Sequence, residues 1–216
     1  MQAPVQHKIN GYNFWLSASR TVFWEEEKAL IISDLHFGKT GHFRKAGIAI
    51  PQTVYKEDLQ RLLHVVQFYK PSKIIAVGDL FHSHANLELE LFRRWRDDLP
   101  HLAFHLVKGN HDILKERWYS SAGIQLWDND MVLRDVRFCH ENCAFGDNYY
   151  LFCGHIHPGV VVSGIGKQSL RFPCFYFTEN HCILPAYSRF SGMATIEPSA
   201  TDSVYAIVDN SLIRLQ

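Results

Sequence analysis

The sequence predicts an α/β protein in which two mixed β-sheets stack face to face with helices outside, a four-layer αββα sandwich built as one domain over residues 1–216. Three observations point there. As far as about Tyr119, short apolar runs alternate with stretches of helical periodicity, and beyond that point strand follows strand. In addition, five of the apolar runs stop at Asp, Asn or His, so five strand ends would collect those side chains along one sheet edge.

Taken in order, Tyr12, Phe14 and Leu16 are separated from Val22, Phe23 and Trp24 by Ser17-Ala18-Ser19, which reads as a hairpin in the outer part of a sheet. Ala29-Leu30-Ile31-Ile32 is a buried strand that ends at Asp34 and His36. Pro51 opens a helix whose Val54, Leu59, Leu62, Leu63 and Val66 share one face through Tyr69, and Pro71 stops it. Ile74-Ile75-Ala76-Val77 then runs into Gly78-Asp79-Leu80-Phe81-His82. Asn86 caps a second helix, carrying Leu87, Leu91 and Trp95, that lasts until Pro100; Arg93, Arg94 and Arg96 form its solvated face. Residues 102–107 form the next strand and lead into Gly109-Asn110-His111-Asp112, with a short helix from about Ile113 to Tyr119 and a turn at Gly123. Val136-Arg137-Phe138 stops at His140, and Tyr149-Tyr150-Leu151-Phe152 stops at Gly154-His155-Ile156-His157. Further strands are expected at 160–162, 169–172, 175–177 and 182–184, then a loop over 184–201 and a closing hairpin around Asp209-Asn210.

Length and composition narrow the function. A chain of 216 residues can bury about 70% of its unfolded surface in one core, so no second domain is required. Lys plus Arg and Asp plus Glu are 22 each, and this zero formal charge excludes a general grip on nucleic-acid backbone; any such contact must be local. The first sixteen residues lack the basic start and apolar core of a secretory signal, and no run is long enough to span a membrane, so a cytoplasmic location is expected. Five cysteines without a Cys-x-x-Cys pair argue against a disulfide framework. Gly38-Lys39-Thr40 looks like the end of a nucleotide-binding loop, but that motif needs glycine where Ser33 stands.

The ordered series Asp-x-His, Gly-Asp-x-x-His, Gly-Asn-His-Asp, His and Gly-His-x-His, from Asp34 to His157, resembles the calcineurin-like metallophosphoesterase superfamily. The resemblance implies the αββα fold and a binuclear metal centre. Asp34, His36 and His157 would hold one ion, Asn110, His140 and His155 the other, and Asp79 would bridge them. The donor types agree, because a mixture of carboxylate, imidazole and amide oxygen suits divalent Mn, Fe, Zn or Ni better than Ca or Mg; among these, manganese is the ion expected. Two such ions ~4 Å apart would share a water, turn it into a bridging hydroxide at neutral pH and bind the phosphoryl oxygens it attacks. His111 would protonate the leaving alkoxide and Asp112 would orient His111. His82 would support the metals or touch substrate, and Lys39 and Arg44, in the loop after His36, would hold substrate phosphate.

A narrower resemblance runs over nearly the whole chain. Asp34-Leu35-His36-Phe37-Gly38-Lys39, Gly47-Ile48-Ala49-Ile50-Pro51, Gly154-His155-Ile156-His157-Pro158 and Leu184-Pro185-Ala186-Tyr187 resemble the bacterial ligase-associated DNA-damage-response phosphoesterases, the PdeM family. It implies an endonuclease or phosphodiesterase acting on DNA in repair, in association with a DNA ligase, a helicase and an exonuclease-like protein. The chain departs from that pattern at Ser188 and Gly192-Met193, where glycines are expected. The alternative is a phosphodiesterase or phosphatase for small nucleotides, which a neutral chain suits. A Ser/Thr protein phosphatase is disfavoured because Gly78-Asp79-Leu80-Phe81-His82-Ser83 lacks an Asp-Arg-Gly ending, and a non-catalytic scaffold because the ligand set is complete.

Overall fold

The structure is a computed structural model and describes residues 2–37, 54–82, 87–141, 148–164 and 168–216. The first sheet has seven strands in chain order: β1 (Val5–Ile9), β2 (Tyr12–Ser17), β3 (Thr21–Trp24), β4 (Ala29–Ile32), β5 (Lys73–Val77), β6 (Ala103–Val107) and β7 (Ile124–Trp127). β1 to β4 pair antiparallel and β4 to β7 parallel. Parallel neighbours need crossovers, and these contain α1 (Val54–Tyr69), α2 (Leu87–Asp97) and α3 (Glu116–Ser121).

Period-two side-chain alternation explains why β4 and β5 read as unbroken apolar runs. Leu30, Ile32, Ile74 and Ala76 pack beneath the helices with Leu62, Val65, Phe92 and Tyr119. Ala29, Ile31, Ile75 and Val77 face the other way, toward the second sheet. Both faces are buried, as a parallel sheet demands.

The second sheet takes β8 (Asp130–Leu133), β9 (Val136–Cys139), β10 (Tyr150–Cys153), β11 (Pro158–Ser163), β12 (Ser169–Phe177), β13 (His181–Ile183), β14 (Ala194–Thr195), β15 (Ser203–Val208) and β16 (Ser211–Arg214). Its order is β14-β11-β12-β13-β10-β9-β8, with β15 on β12 and β16 on β15. Phe138, Phe152, Phe175, Phe177, Tyr205 and Ile207 meet Phe14, Leu16, Val22 and Trp24 of the first sheet in one continuous core.

The α/β class and the two stacked mixed sheets agree with the sequence reading. All the described helices cover the first sheet. On the outer face of the second sheet the described residues form only the small cluster of Val160, Cys174, Val204 and Ala206, without a helix. β1 was not foreseen, although Val5, His7 and Ile9 alternate inward. The helix expected at 113–119 starts three residues later, because residues 109–113 are taken up by tight turns, with Asp112 N donating to Gly109 O and Ile113 N to His111 O. The two strands expected at 169–172 and 175–177 are one strand through Pro173. There the partner changes from β11, on residues 169–173, to β15, on residues 174–177.

Phe81, two residues beyond Asp79, is completely buried and packs against Phe92 at 5.1 Å and Trp118 at 4.9 Å between ring centroids. It joins the β5 loop to α2 and α3. Phe81→Ala is expected to lower stability by about 3–5 kcal/mol, read as a reduced urea midpoint with unchanged slope; a midpoint equal to wild type would refute this anchoring.

Candidate metal centre

All five predicted strand ends arrive at one edge: β4 delivers Asp34 and His36, β5 Asp79, β6 Asn110, β9 His140 and β10 His155 and His157. The chain turns abruptly at each. Asp34, His36, Asp79, His155 and His157 all have left-handed backbones, with φ of 54°, 50°, 49°, 66° and 52°. Such a conformation costs of order 1–3 kcal/mol per non-glycine residue and persists only where the surroundings fix it.

The fixing groups can be named. Asp34 N donates to Gly78 O at 3.1 Å and His36 N to Asp79 O at 2.9 Å, so the β4 and β5 loops brace each other. Gly78 itself has φ of 77°, and a Cβ there would collide with the His140 ring. A Cβ on Gly154 would collide with Ser33 Oγ. These motif glycines are therefore required by close approach.

Asp34 is fully buried. Its Oδ2 accepts from His155 N at 3.1 Å and stands 2.5 Å from the Ser33 hydroxyl, which is also 2.7 Å from Val77 O. Its Oδ1 makes no hydrogen bond, although His157 Nε2 lies 3.0 Å away and His36 Nε2 3.8 Å away. Across the site, Asp79 Oδ1 accepts from His111 N at 2.9 Å and is 3.4 Å from His140 Nε2. Asp79 Oδ2 lies 4.0 Å from His36 Nε2 and 3.9 Å from His111 Nε2. Burial alone would raise the Asp79 pKa, but the His140 hydrogen bond and charge, the His111 amide and His36 overcome it and hold it at about 2. Burial likewise opposes charge on His140, yet the hydrogen bond to Asp79 and the charges of Asp34 and Asp79 raise its pKa to about 9.

Two imidazoles show that the donor set fits a cation. His140 Nδ1 donates its proton to Val77 O at 3.0 Å, and His157 Nδ1 donates to Gly192 O at 3.1 Å. If each ring were neutral, its lone pair would lie on Nε2. For His140 that atom faces Asp79 Oδ1 and Asn110 Oδ1, the latter at 3.2 Å; for His157 it faces Asp34 Oδ1. Lone pair against acceptor oxygen is repulsive, and only a proton or a metal ion between the atoms reconciles them. Asp34, His36 and His157, and Asp34, Asp79 and His140, are two groups whose donor atoms lie close enough to share an ion.

His82 and His111 stand beside these donors. Their rings are 4.3 Å apart between centroids, and His36 is 5.5 Å from the first and 5.6 Å from the second. His111 is 41% exposed, which leaves it open to substrate. Asp112 behaves differently from the sequence expectation. Its Oδ1 accepts from Phe81 N at 3.0 Å and its Oδ2 from Gly109 N at 2.9 Å, so both oxygens are engaged by backbone and it clamps the β5 and β6 loops together. Burial pushes the Asp112 carboxyl up to about 7 against those two hydrogen bonds. What packs against the His111 ring is His82.

Lys39 and Arg44 lie outside the described residues. Lys108 pairs with Asp128 at 3.5 Å, and Arg189 lines a pocket with Glu57, Asp58 and Arg61 of α1. Sequence reasoning missed Glu141, whose Oε1 is 3.4 Å from His155 Nε2, and the Gly192 carbonyl that sets the His157 tautomer. A carboxylate next to His140 was visible in the sequence; a backbone carbonyl 35 residues from its histidine was not. Cys139 is disulfide-bonded, contrary to the expectation from cysteine spacing, and burial pushes the free Cys153 thiol up to about 12. Among the described residues, no helix is long and apolar enough to cross a membrane.

Comparison with known proteins agrees with this geometry. The chain is similar to Pseudomonas putida nuclease MPE, with 27% identity, a TM-score of 0.84 and coverage of 98% of this chain and 100% of that one. A phosphoesterase from E. coli, Yfce, aligns at 15% identity and a TM-score of 0.44 over 86% of this chain and 96% of that chain, too distant to support more. No curated protein sequence matches. The family model for calcineurin-like phosphoesterases matches residues 28–180, which include every strand end just described. The chain therefore belongs to the calcineurin-like phosphoesterases, metal-dependent hydrolases of phosphoester bonds.

Proposed function

We propose that this protein is a two-metal phosphodiesterase that cuts DNA, with manganese as the working ion and a role in DNA repair. The observation that carries the reading is the convergence of Asp34, Asp79, His36, His140 and His157, with Asn110 and His155 beside them, at the edge where the parallel strands end. Similarity over the full length to a protein described as a nuclease supports DNA as the substrate.

Asp34, His36 and His157 would hold one ion and Asn110, His140 and His155 the other, with Asp79 between them. When bound, the ions supply an activated water and neutralise charge on the phosphoryl oxygens. The remaining work falls to the protein. The Val77 and Gly192 carbonyls keep His140 and His157 in the tautomer that presents Nε2. The His111 amide fixes Asp79 Oδ1, and its half-exposed imidazole stands where it can hand a proton to the leaving oxygen. His82 holds the His111 ring in that direction. Lys39 and Arg44 remain the proposed phosphate contacts, and a ligase, a helicase and an exonuclease-like protein the proposed associates. The zero net charge means that DNA must be held by such local groups.

Two outcomes are expected. Stripped protein reconstituted with Mn nicks supercoiled plasmid and the Asp79→Ala protein does not; nicks that persist in that variant would sink the metal assignment. If plasmid is untouched while a model diester is hydrolysed, the substrate is a small nucleotide and the DNA reading is wrong. His111→Ala should keep both ions and lose about 10²–10⁴-fold in kcat on esters with poor leaving groups, with a much smaller loss on p-nitrophenyl esters. Equal losses on both would remove His111 from the proton-transfer role.

A further inference from the structure

Residues 186–192 form a strap that touches the metal centre at both ends. At one end it lies on the strained turn of β4, with Tyr187 N donating to Ser33 O at 2.8 Å and Ser188 N to Asp34 O at 3.2 Å. At the other, the Gly192 carbonyl accepts from His157 Nδ1 and Ala194 N donates to His157 O at 3.1 Å. The strap's own carbonyls face inward, and two arginines satisfy them. Arg20 Nη1 donates to Ala186 O at 3.0 Å and to Ser188 O at 2.8 Å. Arg61 Nη2 donates to Tyr187 O, and its guanidinium lies 4.1 Å over the fully buried Tyr187 ring. Asp58 holds Arg61 from below at 3.0 Å, and the Tyr187 hydroxyl donates to Asp58 O at 3.2 Å.

Three successive carbonyls are thus turned toward guanidinium groups and two successive amides toward the Ser33–Asp34 backbone. Planar multi-donor guanidinium suits that task, where lysine would offer a point charge. Neither arginine belongs to the donor cluster; both come from elements, the β2–β3 turn and α1, that lie behind the strap.

We propose that Arg20 and Arg61 are positioning residues for the metal centre, acting through this strap on the ion held by Asp34, His36 and His157. The proposal rests on the ligand assignment above. Without the arginines, the strap carbonyls would seek other donors, the two amides would leave Ser33 and Asp34, and Gly192 would release His157. Among the described residues Asn110, His140 and His155 make no hydrogen bond with the strap, whereas His157 does, so the loss should fall mainly on the ion that His157 holds.

The test uses full-length protein stripped of metal and titrated with Mn(II) by calorimetry, with electron paramagnetic resonance of the loaded sample. Wild type is expected to bind two ions and give an exchange-coupled signal. Arg20→Ala and Arg61→Ala should each weaken one ion class by about 10–100-fold, the range for groups that orient metal ligands, affect the other class much less and show the spectrum of an isolated ion. Arg137→Ala, which breaks the pair with Asp130 at 2.7 Å on β9, is the control: it should lower thermal stability and keep both ions. Arg20→Gln, polar yet too short to reach both carbonyls, serves if the alanine protein does not fold, and should show the same selective loss. Folded Arg20 and Arg61 variants that bind two ions with wild-type affinity would overturn the proposal, as would equal weakening of both classes. Wild type binding fewer than two ions would instead overturn the ligand assignment itself.

Discussion

Asp34 carries a carboxylate into a place that water does not reach, between the edges of two sheets, and the arrangement around it follows from having to keep that charge there. One oxygen is held by the His155 amide beside the Ser33 hydroxyl. The other is turned toward two imidazole nitrogens with which it makes no hydrogen bond. Desolvating an ion without compensation is costly enough that such groups are paired or coordinate a metal. Here the His155 amide and the Ser33 hydroxyl hold one oxygen, and a cation, which the donor set fits, would compensate the other.

Holding those donors requires backbone that the chain would not adopt unaided. Five donor residues have positive φ, and each is braced by a neighbouring loop rather than by its own strand. Asp112 ties the loops after β5 and β6, the Gly78 and Asp79 carbonyls tie those after β4 and β5, and the strap of residues 186–192 reaches from Asp34 to His157. The two core clusters provide the rigid base for this bracing, because β4, β5 and β6 have both faces packed and β9 and β10 pack their inner face into the core between the sheets. The separation of roles is clear: apolar burial sets where the strand ends are, and backbone hydrogen bonds set where the side chains point.

Asp112 illustrates how a sequence motif can suggest the wrong partner. Adjacent to His111, it invites comparison with a carboxylate that orients a catalytic imidazole. In the fold it is buried and its two oxygens accept from two backbone amides, those of Phe81 and Gly109. His82, separated from His111 by 28 residues in the sequence, packs on the ring instead. Adjacent residues in a tight turn diverge, so adjacency in sequence is poor evidence for contact there.

The sequence by itself determined the fold class, the strands that end at the site and the candidate donors at their ends. These are local properties: apolar runs of strand length report burial, and the stop of each run at Asp, Asn or His reports its end. Partners that meet only through the third dimension were not legible. Gly192 with His157, Arg20 with the 186–188 carbonyls and His82 with His111 lie far apart along the chain and use backbone or ring contacts that leave no residue pattern. Nor could composition place the helices on one sheet alone. The tertiary structure decided these matters because the direction of a side chain at a strained turn is fixed by whatever packs behind it, and that is a property of the assembled sheets, not of the segment.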